Sequence, residues 1–101
     1  MTRWAVLRAE GVAEAFRYTV HLELEGTEAE ALAALPHIAD TFAEADTESG
    51  RRRQRRRVFR ISDRSYFVRV ENRTSVEEAH FTLAELVADT HADGLPDTVS
   101  G

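Results

Sequence analysis

Residues 16–26, FRYTVHLELEG, alternate apolar and polar side chains without a break. An apolar residue at every second position is typical of a β-strand with one covered face and one wet face. Thr27 and Glu30 follow at the spacing of a capping box, in which each side chain satisfies a free amide at the start of a helix. These neighbouring patterns predict a strand that ends at Gly26 and a helix that begins directly after it.

The predicted helix extends from about Thr27 to about Glu44, because apolar side chains recur there every three or four residues. Pro36 lies inside this segment. Since proline removes a backbone donor and clashes with the preceding turn, we expect a kink or a break there. Upstream of the strand at 16–26, the residues Trp4–Leu7 predict a shorter first strand.

Two further strands are predicted at 56–62, RRVFRIS, and at 65–72, SYFVRVEN, joined by the two-residue turn 63–64. The register set by this turn pairs the side chains on two faces. On the buried face the expected pairs are Ile61 with Tyr66, Phe59 with Val68, and Arg57 with Val70. On the outer face the expected pairs are Arg60 with Phe67, Val58 with Arg69, and Arg56 with Glu71.

A second capping box, Ser75 with Glu78, precedes apolar residues at helical spacing, so a second helix is predicted to end near Thr90. Phe81 lies beside the apolar stripe of this helix, where a partner could contact it. The resulting order, ββαββα, predicts an α+β fold with a four-stranded, mostly antiparallel sheet and two helices on one face.

Part of this order matches the ferredoxin-like plan, with the first strand in the place of that plan's last strand, as in a circular permutation. The predicted sheet order is 1-2-4-3, which places the third strand at an edge. A chain of 101 residues has the length of one domain. We assign residues 1–92 to that domain and 93–101 to a flexible C-terminal tail.

The composition, 43% apolar and 31% charged, is typical of a globular protein. No apolar run reaches the ~20 residues that span a bilayer, and the first residues lack the apolar segment of a signal peptide. We therefore expect a cytoplasmic protein that does not bind membranes. The chain has no cysteine, which excludes disulfides and thiolate chemistry.

The stretch at 49–60, SGRRRQRRRVFR, concentrates positive charge in an acidic chain. The net charge is −5, and without the six arginines at 51–57 the remaining seven arginines and eighteen acids leave −11. The simplest interpretation is structural, because charges on an edge strand discourage unwanted strand pairing. Upstream acids at Glu44, Asp46 and Glu48 could neutralise part of the run.

The leading functional hypothesis is a small non-enzymatic protein–protein interaction or regulatory module that self-associates as a homodimer. The main alternative is nucleic-acid binding, because the arginine fork binds phosphate bidentately. GRRRQRRR, at 50–57, resembles the arginine-rich RNA-binding segment of lentiviral transactivators over eight residues. The predicted partner-binding residues are Arg51, Arg52, Arg53, Arg55, Arg56, Arg57, Arg60, Phe67, Arg69 and Phe81.

No catalytic residue, cofactor or metal site is predicted. The four histidines, at 21, 37, 80 and 91, lack ligand spacing, and Glu77-x-x-His80 is only half of a di-iron helix motif. The five glycines are scattered rather than gathered in a phosphate loop. Nothing in the sequence places a histidine next to Ser62 or Ser65 to activate a nucleophile. A further alternative is a cofactor-free small-molecule-binding or enzymatic ferredoxin-like dimer, with tyrosine or histidine in a cavity between sheet and helices.

Overall fold

The computed structural model describes residues 2–10 and 17–90. Five strands and two helices form this part of the chain. Their bounds are β1 Thr2–Glu10, β2 Arg17–Gly26, α1 Glu28–Thr41, α2 Glu48–Arg52, β3 Arg55–Ser62, β4 Ser65–Glu71 and β5 Val76–Glu85. The α+β class is confirmed. Phe16 and the predicted tail at 93–101 lie outside the described residues.

The junction between β2 and α1 forms as the sequence predicts. Thr27 is the N-cap of α1: its hydroxyl accepts from the Glu30 amide at 3.2 Å, and the Glu30 carboxylate accepts from the Thr27 amide at 3.1 Å. Gly26 has φ +146°, a conformation that side-chain-bearing residues rarely adopt. Its carbonyl accepts a hydrogen bond from Trp4 Nε1 at 3.1 Å, which ties the start of the helix to β1. Pro36 does not break α1, which continues through it to Thr41.

The strands form one antiparallel sheet in the order β2-β1-β5-β4-β3. The predicted order 1-2-4-3 is wrong, and the ferredoxin-like plan is not confirmed, because a fifth strand lies between β1 and β4. β3 does lie at an edge, as predicted, and β2 forms the other edge. In this order β5 is the central strand, with a neighbour on each side.

The hydrophobic core lies between α1 and one face of the sheet. The helix contributes Ala31, Leu35, Ile38 and Ala39, and the strands contribute Trp4, Val6, Val68, Val70, Ala79, Phe81 and Leu83. Phe81 is fully buried near the middle of this layer and makes edge-on ring contacts with Phe42 and His21, at centroid distances of 5.6 and 5.2 Å. We call the side of the sheet opposite α1 the open face.

The second predicted helix, from Ser75 to Thr90, is wrong: residues 76–85 form β5. The predicted capping box does not form, and Ser75 instead accepts from the Asn72 amide through its backbone carbonyl at 2.8 Å. As the central strand, β5 makes ladder hydrogen bonds on both edges, with β1 and with β4. These two ladders satisfy the backbone, so a local capping pattern does not decide the conformation.

The β3–β4 hairpin has the predicted two-residue turn, but its register differs by one residue. Ser62 pairs with Ser65 as expected, whereas Arg60, and not Ile61, pairs with Tyr66. Ile61 is therefore the extra residue of a β-bulge, and every residue of β3 before it lies on the face opposite to the predicted one. Both sets of predicted cross-strand pairs are wrong for this reason.

Candidate protein interface on the open sheet face

Five side chains from five different strands line up across the open face. Ala9 pairs with Tyr18 on one side and with His80 on the other, His80 pairs with Phe67, and Phe67 pairs with Phe59. Because side chains alternate along each strand, these residues point away from the side that buries Phe81. We call Tyr18, Ala9, His80, Phe67 and Phe59 the central row.

The edges of the central row are strongly exposed. Tyr18 is 57% and Phe59 is 50% exposed, whereas Ala9 is buried beneath its larger neighbours. The rings of Phe59 and Phe67 lie 6.2 Å apart in a tilted arrangement. Isolated apolar residues are ordinary on a surface, but four rings in one row of five residues on the same sheet face are typical of a surface that binds other proteins.

A second row runs parallel to the central row and carries hydroxyl groups at one end. It contains Val20, Leu7, Thr82, Ser65 and Ser62, in the order of the strands. Val20 is 60% exposed at the β2 edge. The β2 and β1 half of this row is therefore aliphatic, and the β4 and β3 half is small and polar.

The centre of the open face contains a hydroxyl–imidazole cluster that the sequence did not predict. The Ser65 hydroxyl contacts His80 Nε2 and lies 3.3 Å from the Thr82 hydroxyl, and Thr82 Oγ1 is 3.4 Å from the same histidine nitrogen. The sequence did not indicate this proximity, because His80 was assigned to a helix, whereas β5 is a strand that brings His80 alongside β4. The contacts satisfy the buried hydroxyl of Ser65 and give the apolar face a polar centre.

A third row on the open face is ionic. Arg69 Nη1 pairs with Glu78 at 3.0 Å and Arg69 Nε with Glu71 at 3.0 Å, while Arg57 also contacts Glu71. The hydrogen bonds from Arg69 and then Arg57 hold the pKa of the Glu71 carboxyl below its ordinary value of 4.5. Arg57 and Arg69 pair directly across the strands, so Glu71 keeps two like charges together.

The arginine run is divided between structural contacts and exposed charge. Arg51 pairs with Glu44 at 3.5 Å and donates to the Ala45 carbonyl at 3.0 Å, and Arg52 pairs with Glu48 at 3.3 Å. Both arginines belong to α2. The expectation that upstream acids neutralise part of the run is confirmed for Glu44 and Glu48.

Two arginine side chains of β3 bind other residues of the domain. Arg56 donates to the Ala39 carbonyl near the end of α1 at 3.0 Å, and Arg57 belongs to the ionic row. The side chains of Arg53, Arg55 and Arg60 have no ion-pair or hydrogen-bond partner within residues 2–10 and 17–90. Arg53 follows α2 as its C-cap, Arg55 begins β3, and Arg60 lies on the α1 side of the sheet.

The structure brings only part of the predicted partner-binding set together. Arg55, Arg57, Phe67 and Arg69 share the open face, whereas Arg56 and Arg60 lie on the α1 side. Phe81 is not a surface residue at all, since it is fully buried in the core. Sequence reasoning missed Tyr18 and Phe59 as exposed residues, because the bulges at His21 and Ile61 move both side chains from the expected covered face to the open face.

Both edge strands carry a β-bulge, at His21 in β2 and at Ile61 in β3. Bulges twist an edge and interrupt its row of unpaired amides and carbonyls, so they hinder the addition of a further strand. The charges of the β3 arginines also hinder the addition of a strand at that edge. The open face is therefore better suited to docking than either edge.

Within the described parts of the chain, no three histidine or acidic side chains gather in a way that could hold a metal ion. The helices found there are too short to cross a bilayer. Comparisons with protein-family models, with curated proteins and with solved structures give no match.

Proposed function

We propose that this protein is a small non-enzymatic interaction module that docks a protein on the open face of its sheet, and that it self-associates in this way. The central row carries the proposal, because it places exposed rings from both edge strands at the same level as Phe67 and His80. An exposed apolar band bordered by charged side chains is the usual anatomy of a protein interface.

The dimensions of the open face fit this proposal. Five strands at about 4.8 Å spacing and about eight residues of ~3.3 Å give a face of about 24 by 27 Å. Its flat area is about 650 Å², and the relief of the side chains increases it toward the ~800 Å² per partner of a standard interface. A self-associating module of this kind would act in the cytoplasm, where a chain without disulfides is at no disadvantage.

The test is a measurement of molar mass in solution. Light scattering after size exclusion, from about 1 to about 100 μM protein, brackets the affinities of weak and moderate interfaces. We expect a dimer that dissociates on dilution. Phe59→Ser should weaken the dimer, while Val58→Ser, at the adjacent position on the α1 side and 38% exposed, should leave it intact. A wild-type monomer throughout this range would refute self-association.

Nucleic-acid binding remains a second candidate because Arg53, Arg55 and Arg60 have no acidic partner within the described residues. Arg51, Arg52 and Arg57 already pair with acids, so about three phosphate contacts are available rather than six. Counterion release then gives a log–log salt slope of about −2 for single strands. Fluorescence anisotropy with labelled RNA and DNA measures this slope, and Arg53→Gln with Arg55→Gln, which leaves one of the three contacts, should reduce it to about −0.7.

A further inference from the structure

The open face is complementary in size to a copy of itself. The central row has Ala9 on one side of β5 and Phe67 on the other, and both pair directly with His80. The second row has Leu7 and Ser65 in the same relation to Thr82. In both rows, a position on one side of β5 has an equivalent of very different size on the other side.

We propose that two copies pack open face to open face about a two-fold axis that runs along β5. Such an axis places β1 over the partner's β4 and β2 over the partner's β3. Ala9 then meets the partner's Phe67, and Leu7 meets the partner's Ser65, so each large side chain enters the space above a small one. Thr82 and His80 meet their own copies. The inference rests on the proposed function, since it presupposes self-association through this face.

Sheets that pack face to face adopt either an aligned or an orthogonal arrangement. An axis along β5 gives the aligned arrangement. The orthogonal alternative would bring Glu23 to the partner's Arg55, because these residues lie at diagonally opposite corners of the face. Exposed ion pairs contribute little to association. Matching of large and small side chains along two rows therefore favours the aligned arrangement.

The ionic row is compatible with this axis. Glu78 lies on β5, so it approaches its own copy, but Arg69 pairs with it at 3.0 Å within each subunit. The neighbouring Glu71 is likewise held by Arg57 and Arg69. Each subunit thus compensates its own charges before association, and no like charge faces the partner alone.

The absence of cysteine allows a clean crosslinking test. Packed sheets lie about 10 Å apart, which exceeds the ~6.8 Å Cα separation that a disulfide tolerates, so a short bis-maleimide is the suitable reagent. Thr82→Cys should crosslink to itself. Tyr18→Cys and Phe59→Cys should crosslink poorly alone but readily when mixed, because each meets the other across the axis. Val58→Cys, on the α1 side of the edge strand β3 and 38% exposed, is the control and should give no dimer.

Three outcomes overturn the inference. Crosslinking of mixed Glu23→Cys and Arg55→Cys, without the Tyr18–Phe59 product, would establish the orthogonal arrangement. Dimers by light scattering that give none of these products would show that the axis lies elsewhere while self-association stands. A wild-type protein that stays monomeric by light scattering would remove the proposed function and the inference together. If Thr82→Cys folds poorly, the mixture of Tyr18→Cys with Phe59→Cys still tests the axis.

Discussion

Replacement of Phe81 by alanine should remove a large part of the stability of this protein. Phe81 has no solvent exposure in the fold. Its ring packs against Phe42 and His21, and its strand, β5, lies between β1 and β4. Deletion of a buried phenylalanine ring costs about 3–5 kcal/mol, because the lost transfer energy is joined by the energy of the cavity left behind. Against a total of about 5–15 kcal/mol, a loss of about 4 kcal/mol leaves a marginal protein.

Urea unfolding measures this loss, with fluorescence of Trp4 as the probe, since it is the single tryptophan and lies buried in the core. With an m-value of about 1.5 kcal/mol/M, the midpoint should fall by about 2.7 M. Protein concentration is held constant, because self-association would add to the apparent stability. Val87→Ala is the control and should change stability by less than about 0.5 kcal/mol.

A loss below about 1 kcal/mol for Phe81→Ala, at unchanged m-value, would refute the reasoning. It would mean that the ring is largely exposed in the native protein, which is its expected position on the flank of a helix over 75–90. The same variant thus distinguishes a central strand from the helix that the local sequence favours.

Three further predictions concern α1 and its contacts. Thr27→Ala should cost about 1 kcal/mol in urea unfolding, because the capping box is lost. Hydrogen bonds from Thr27 lower the pKa of Glu30 from 4.5, so its stabilisation is complete above pH 4.5 and is lost as pH falls through the lower pKa of the folded state. The Tm measured by thermal unfolding should therefore fall less steeply below pH 4.5 in Glu30→Gln than in the wild type. Equal slopes of Tm against pH would contradict this. Arg56→Gln should cost about 1 kcal/mol by breaking the bond to the Ala39 carbonyl, and Arg55→Gln should cost nothing measurable.

Local signals in the sequence were sufficient for the elements whose backbone is organised by near neighbours. The Thr27 and Glu30 pair defined the start of α1, because a capping box involves only residues three apart. The alternation over 16–26 and the turn at 63–64 likewise predicted β2 and the β3–β4 hairpin. The edge position of β3 was also predicted, but from the sheet order 1-2-4-3, which is wrong in other respects.

The error over 76–85 shows where local signals fail. Ala79, Phe81 and Leu83 alternate in a way that fits the buried face of a strand, but the same segment also has apolar residues at helical spacing and a capping pattern. A short segment of this kind is ambiguous by periodicity. β1 and β4 resolve the ambiguity, because both present free backbone groups that only an extended chain between them can satisfy.

The interface proposal depends on the same long-range pairing. The sequence by itself determined the α+β composition, the capped helix and the turn, all of which arise from contacts between residues close in the chain. Only the tertiary structure decided that Phe81 is buried and that Tyr18, His80 and Phe59 share one row. The side of a sheet on which a residue lies changes with a shift of one residue, and here a bulge at Ile61 and the insertion of β5 set that register.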